Sequence, residues 1–348
     1  MPTDPTPRAT GSPPLWTQAL RLSLGLVVGC GAVWFALAAA GGWRVMANAL
    51  MRTDARWLAA AVAAQGLGVV LSAVRLRRLA GRKVNLSLTA ATGLELVMNG
   101  LGVLAPAAPA EAMAYGVRQL RLRGLDKTRA VLVLSMEQWF SYRVIYLIAS
   151  LNLLVILARR DFPVPGPWPG VAGVLALLML AVTGVAASRA ASMEHLSGAW
   201  ARLRFWVPRP SVEQRRLTVV RLHKTAMSIV GRPRDRGRLV GLSVAGHLTG
   251  VLTLVLAMRA VGVVVEPDVA LLASAAAVLA SSIPLLPAGL GLVEAAVPAV
   301  LAWYGAPLDS ALAGAFVVRV VGTVLPAAAG AVALWVLQLS GRRSRSSK

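Results

Sequence analysis

Seven ionisable residues interrupt otherwise apolar stretches of this chain: Glu95, Glu111, Glu137, Arg143, His247, Glu294 and Arg319. A charge at the centre of a bilayer costs about 2.5–3.5 kcal/mol even on lenient insertion scales, so each is a candidate for function. Arg319 is the strongest. Its guanidinium is always charged and its planar fork suits phosphate or carboxylate; the competing reading is a buried ion pair with Glu294 or Glu137. Glu294 and Glu111 follow helix breakers closely. Each can cap the half-helix it begins, where an acid is favoured by the dipole, or handle substrate or a proton, and the two roles are compatible. Arg143 lies six residues after Glu137, off its helix face, and is expected to pair with another span or to snorkel. His247, mid-span in "SVAGHLTG", is either a hydrogen-bonded core histidine or a proton relay, since histidine titrates near neutral pH. Glu95 and Asn99 stand one helical turn apart, placed to share a cavity or to bond to each other.

The elements that hold these residues are membrane helices. The chain is 57% hydrophobic and 14% charged, where a soluble domain carries about 25% charged residues. Apolar runs near 20–42, 57–74, 130–158, 170–187, 239–257 and 310–338 have the length needed to cross about 30 Å of hydrocarbon, or nearly so. Residues 1–14 read as a disordered tail and 15–340 as one transmembrane domain, followed by a basic tail, 341–348. The tail 1–14 lacks the basic start and cleavage site of a signal peptide, so the first run is expected to remain as an anchor. The single cysteine, Cys30, can form no intrachain disulfide.

A net charge of +22 raises the question of nucleic acid, but the basic residues gather on alternate loops, which the positive-inside rule explains. Arg75, Arg77, Arg78, Arg82 and Lys83 mark one cytoplasmic loop, Arg118 to Arg129 a second, and the loop 188–238 a third. Both termini then face the cytoplasm of a multi-pass plasma-membrane protein. Within the third loop, 217–230 reads as a basic amphipathic helix, lying on anionic lipid or packing against the protein's own helices. "GLVVG" (25–29) fits, weakly, the small-residue pattern of close helix approach.

Basic clusters flank the apolar segment 84–117 on both sides, so a single crossing cannot satisfy them. A hairpin that enters from the cytoplasm and returns can, turning near Pro106 and Pro109. The segment 269–305 poses the opposite problem, flanked by Glu266, Asp268 and Asp309, and should enter from the outer face and turn between Pro284 and Gly291. Non-helical backbone at that depth is tolerated only inside protein or beside a wet cavity, and a half-helix starting there aims its amide-rich end inward, where it can hold an anion. Span, hairpin, span thus occurs twice, at about 57–158 and 239–338, in opposite orientation. The expected fold is all-α and polytopic, with about six full spans, two re-entrant hairpins and an inverted-topology repeat of the kind found in secondary transporters. Two ordinary pairs of short spans are the alternative.

The stretch "IPLLPAGLGLVEAAVPAVLAWYGAPLDSALAGAFVVR" resembles the lysylphosphatidylglycerol synthase transmembrane-region family, the flippase-like domain proteins. Their pattern runs roughly Pro-x-x-Pro-Gly-Gly-Leu-Gly-x-x-Glu, then a Gly, then an Arg in the next span; Pro284, Pro287, Gly289, Leu290, Gly291, Glu294, Gly305 and Arg319 match it. The resemblance extends more weakly over about 20–340. It implies translocation of an anionic phospholipid or polyprenyl-linked head group between leaflets. The first repeat departs from the pattern: Glu111 and Glu137 remain, alanines replace the glycines, and Gln138 and Ser141 stand where the family usually shows Arg and Asp.

Three functions follow as expectations. The first is a lipid translocase binding an anionic head group through Arg319, Glu294, Gly289, Gly291, Glu111, Glu137, Arg143 and His247. The second is a non-transporting partner of a cell-envelope enzyme. The third is an enzyme, either an aminoacyl-lipid synthase or a membrane glycosyltransferase; against it, the chain has no separate cytosolic domain and no Asp-x-Asp, and "EPD" (266–268) is a thin metal signal. No catalytic residue, metal or cofactor is expected, and no nucleotide-binding loop is present.

Overall fold

The computed structural model describes residues 43–81, 84–104, 108–159, 225, 228–231, 233–281 and 291–333. The expected spans 20–42 and 170–187, Cys30, the 25–29 motif, Pro106, Pro284, Pro287, Gly289, most of the loop 188–238 and both tails lie outside them. The described chain forms helices α1 (Trp43–Met51), α2 (Ala55–Ala80), α3 (Leu88–Leu104), α4 (Ala108–Leu122), α5 (Lys127–Arg159), α6 (Pro233–Ala260), α7 (Pro267–Ser281), α8 (Leu292–Trp303) and α9 (Leu308–Arg319). A π-helical turn, Val320–Val324, carries α9 on to Ala333.

Four of these helices, α2, α5, α6 and the extended α9, are long and apolar enough to cross a membrane. The helices of the two segments expected to be hairpins are shorter: α3 has 17 residues, α4 and α7 have 15 and α8 has 12, against about 20 for a crossing. Local chemistry sets the ends. The Asp54 carboxylate accepts from the Arg56 N–H at 2.8 Å and opens α2; Asp126 does the same for α5 through Arg129, at 2.9 Å. Gly81 and Gly262, at φ 85° and 84°, stop α2 and α6, and Gly124 and Gly305, at 95° and 87°, turn the chain into α5 and α9. Side chains with a Cβ resist that backbone region.

At the centre, α2 and α6 run antiparallel. The Asp54 N–H donates to the Ala260 carbonyl at one end, 2.8 Å, and Arg75 meets Ser243 at the other. Between them Gly68 lets the helices close, since a Cβ there would stand 2.8 Å from the Thr249 hydroxyl. One apolar cluster joins α2, α3, α4 and α5 around Leu76, Leu94, Leu120 and Leu134. A second joins α6, α7, α8 and α9 around Leu254, Ala273, Leu301 and Ala315. Each group also touches the other through its last helix. Asn152 of α5 donates to the Asp268 carbonyl at α7, 2.9 Å. Beyond the π turn, Gly330 lies so close to α3 that a Cβ there would overlap the Leu96 carbonyl. Small residues serve this purpose where lipid removes the hydrophobic drive between helices.

Large apolar side chains remain exposed along the helices, among them Leu67, Leu151, Leu248, Leu252 and Phe316. Such a surface suits acyl chains. At one end of the α2–α6 pair the Arg259 guanidinium lies over the Trp57 ring, 5.1 Å from its centroid, the sort of aromatic and basic anchor that sits at a membrane interface.

One boundary differs from expectation. The apolar run 57–74 continues as helix to Ala80, and this draws Arg75, read from the sequence as part of a cytoplasmic loop, into the protein at 4% exposure. The end of the expected amphipathic helix also turns inward: Ile229 and Val230 pack on the first cluster.

Candidate functional site

The buried ionisable residues form two centres. In the first, Arg75 of α2 pairs with Glu137 of α5, and its Nη1 donates to the Ser243 hydroxyl of α6 at 3.1 Å. The Ser243 hydroxyl in turn donates to the Leu239 carbonyl at 3.0 Å. Glu95 of α3 is buried within electrostatic reach of both Arg75 and Glu137. Asn99, a turn further along α3, is exposed. His247 sits beside this centre, and its Nε2–H donates to the Ser141 carbonyl at 2.8 Å. The bond is the one that the core-histidine reading calls for. Among the described residues Arg143 forms no ion pair with a carboxylate; its guanidinium lies over Trp139, one turn back on its own helix, 4.8 Å from the ring centroid.

In the second centre, Arg319 Nε lies 3.0 Å from Glu294 Oε1, and Glu294 Oε2 accepts the Gly291 N–H at 2.7 Å. The residues dictate this arrangement. Gly291, at φ 82°, starts α8, and Glu294 is the third residue of that helix, where a carboxylate reaches back over the free amides. Capping and ion pairing therefore hold together. Of the two partners considered for Arg319, it is Glu294 that bonds to it, while Glu137 is taken by Arg75. The π turn begins at the residue after Arg319; such turns often mark functional positions.

Exposure separates the centres. The Arg75 and Glu137 side chains are each 5% exposed, whereas Arg319 and Glu294 are 16% and 19% exposed. The second pair borders a cavity of about 210 Å³ between α6, α7, α8 and α9, whose other polar lining includes Ser274, Ser281 and Thr323. Arg319 thus borders open space, whereas Arg75 is enclosed by protein. Glu111, in the first turn of α4, is exposed and apart from both centres. No group of three or more His, Cys, Asp or Glu able to hold a metal comes together among the described residues.

Arg75 and Ser243 were missed as members of a centre. A signal existed: Ala61, Gly68 and Arg75 recur every seventh residue, the spacing of a helix seam. Gly68 meets Thr249, and Ala61 shares a buried cluster with Ala257. The neighbouring Arg77 and Arg78 disguised it as part of a charge run.

Long apolar helices with exposed apolar side chains, packed through glycine and carrying charged pairs inside, define a multi-pass helical membrane protein. The chain belongs to the Lysylphosphatidylglycerol synthase TM region family, which it matches over residues 22–330. No match to a curated protein is found.

Proposed function

We propose that this protein binds the anionic head group of a membrane lipid at Arg319 and carries it between leaflets. The observation that carries the reading is the Arg319–Glu294 pair on the wall of an otherwise largely apolar cavity among four helices. A head-group phosphate takes the place of the Glu294 carboxylate on the guanidinium fork, a like-for-like exchange of anions. Glu294 stays within reach, held by the Gly291 N–H, and reclaims Arg319 when the lipid leaves.

Alternating access from the two leaflets is the role we assign to an inverted repeat. Its support is the register: Gly81 and Gly262, and Gly124 and Gly305, share left-handed backbone at one separation (262 − 81 and 305 − 124 both equal 181). The helices paired by that offset, α2 with α6, run antiparallel, as oppositely inserted copies must. In this reading α3–α4 and α7–α8 are re-entrant hairpins, the basic end of α2 and both termini are cytoplasmic, and the chain performs no catalytic step.

Reconstitution in liposomes with fluorescent anionic lipids tests the proposal. Wild type should move them between leaflets, and Arg319→Ala should slow this about ten- to a hundredfold, the loss of a hydrogen bond to a charged group. Equal rates in the two proteins refute the role of Arg319.

A further inference from the structure

The first centre has a charge that its own residues do not balance. Glu95 and Glu137 bring two carboxylates and Arg75 one guanidinium. Arg75 bonds to Glu137, so the surplus negative charge rests on Glu95. That side chain is buried at 6% exposure, and its Oε1 has no hydrogen-bond partner. A buried carboxylate without a partner is costly enough that proteins neutralise or pair it. Among the described residues no neighbouring element supplies the missing charge: Arg75 Nε is also buried and unpartnered, but one guanidinium balances only one of the two carboxylates. The charges that act on Glu95 are those of Glu137 and Arg75. On α4, Gly116 faces Met98 and Leu134, and beyond the π turn Gly330 faces the α3 backbone. On α6, Ser243 is engaged with Arg75 and Leu239, and His247 with Ser141.

We propose that Glu95, with Glu137 beside it, binds one small monovalent cation, a proton or a sodium ion. The free Oε1 is the atom that receives it. The geometry also gives the cation something to do. Through Arg75, the same charges are tied to Ser243, so the centre beside Glu95 joins α2 and α5 to α6, the first helix of the other half. Loading or emptying Glu95 changes the charge at that joint and so biases how the halves pack. An equilibrium shifts only by such a differential interaction. Cation binding at Glu95 stands independently of the lipid site at Arg319, which lies in the other centre.

The test reads cation binding on the full-length protein in lipid nanodiscs, without any transport assay. Dicyclohexylcarbodiimide modifies a buried carboxyl through its protonated form. At neutral pH and without sodium, mass spectrometry should find Glu95 modified at least several-fold more than the exposed Glu111. Suppression by sodium chloride but not by potassium chloride identifies sodium as the cation; indifference to both identifies the proton. No modification of Glu95, or modification equal to that of Glu111, overturns the site. Melting temperature gives a second readout. It should rise by several degrees in wild type as the cation is added, through acid or through sodium. Glu95→Gln, which neutralises the carboxyl at constant shape, should melt at least as high as the loaded wild type and lose the response. A Glu95→Gln protein that still responds as wild type does would also overturn the proposal.

Discussion

The Glu294 carboxylate holds two groups at once: Oε1 is 3.0 Å from Arg319 Nε and Oε2 takes the Gly291 N–H at 2.7 Å. The two bonds separate by substitution. Glu294→Gln keeps an oxygen for the Gly291 amide and loses the charge that, in the proposed cycle, returns Arg319. It should fold with a melting temperature near wild type and translocate lipid markedly more slowly. Glu294→Ala removes the cap as well, and a lost N-terminal cap costs about 0.5–2 kcal/mol. A melting series alongside the liposome assay checks both, and a Gln variant as unstable as the Ala variant would contradict this division.

The buried centre predicts an asymmetry between partners. Arg75→Met leaves Glu95 and Glu137 buried with no cation of the protein's own, and breaking a buried pair from one side costs about 3–5 kcal/mol. Glu137→Gln leaves one carboxylate, Glu95, with Arg75 and a net charge of zero. Denaturation in detergent should therefore rank Arg75→Met far below Glu137→Gln. If the two are equally damaged, the charge count at this centre is wrong.

His247 donates to a backbone carbonyl and lies at an interface between α6 and α5. His247→Gln retains a donor at similar reach, so it should translocate within about twofold of wild type, given the modest net worth of one such bond. Its pH profile should be unchanged. A profile that shifts in this variant supports the proton-relay reading.

Much of this fold was legible because its signals are periodic or chemical. The runs 130–158 and 239–257 sit inside α5 and α6, and Gly291, the last of the expected breakers, opens α8. The Glu294–Arg319 pair was within reach because each half announces itself: an acid just past a glycine, a cation alone in an apolar helix. Arg75 was hidden for the opposite reason. Positive-inside counting treats a cluster as one object, whereas the helix rotates each residue by about 100°. That rotation sends Arg75 inward and leaves Arg77 and Arg78 exposed. Partners such as Ser243 are still less visible, because nothing in a serine's local sequence tells that a guanidinium from residue 75 will arrive.

Close helix approach gives the last prediction. Gly330 faces the Leu96 carbonyl with no room for a Cβ, whereas a Cβ on Gly66 meets nothing within 4 Å. Overpacking at the first position must push the end of α9 away from α3, at a typical cost of about 1–3 kcal/mol. At the second, alanine simply removes glycine's entropy penalty in a helix, a gain of about 0.5–1 kcal/mol. Gly330→Ala should thus lower the melting temperature and Gly66→Ala raise it or leave it level. The pair is informative because intrinsic helix propensity alone predicts the same sign for both. Only contact between the two halves at Leu96 and Gly330 separates them, so matched stabilisation would mean that α9 does not lie against α3 there.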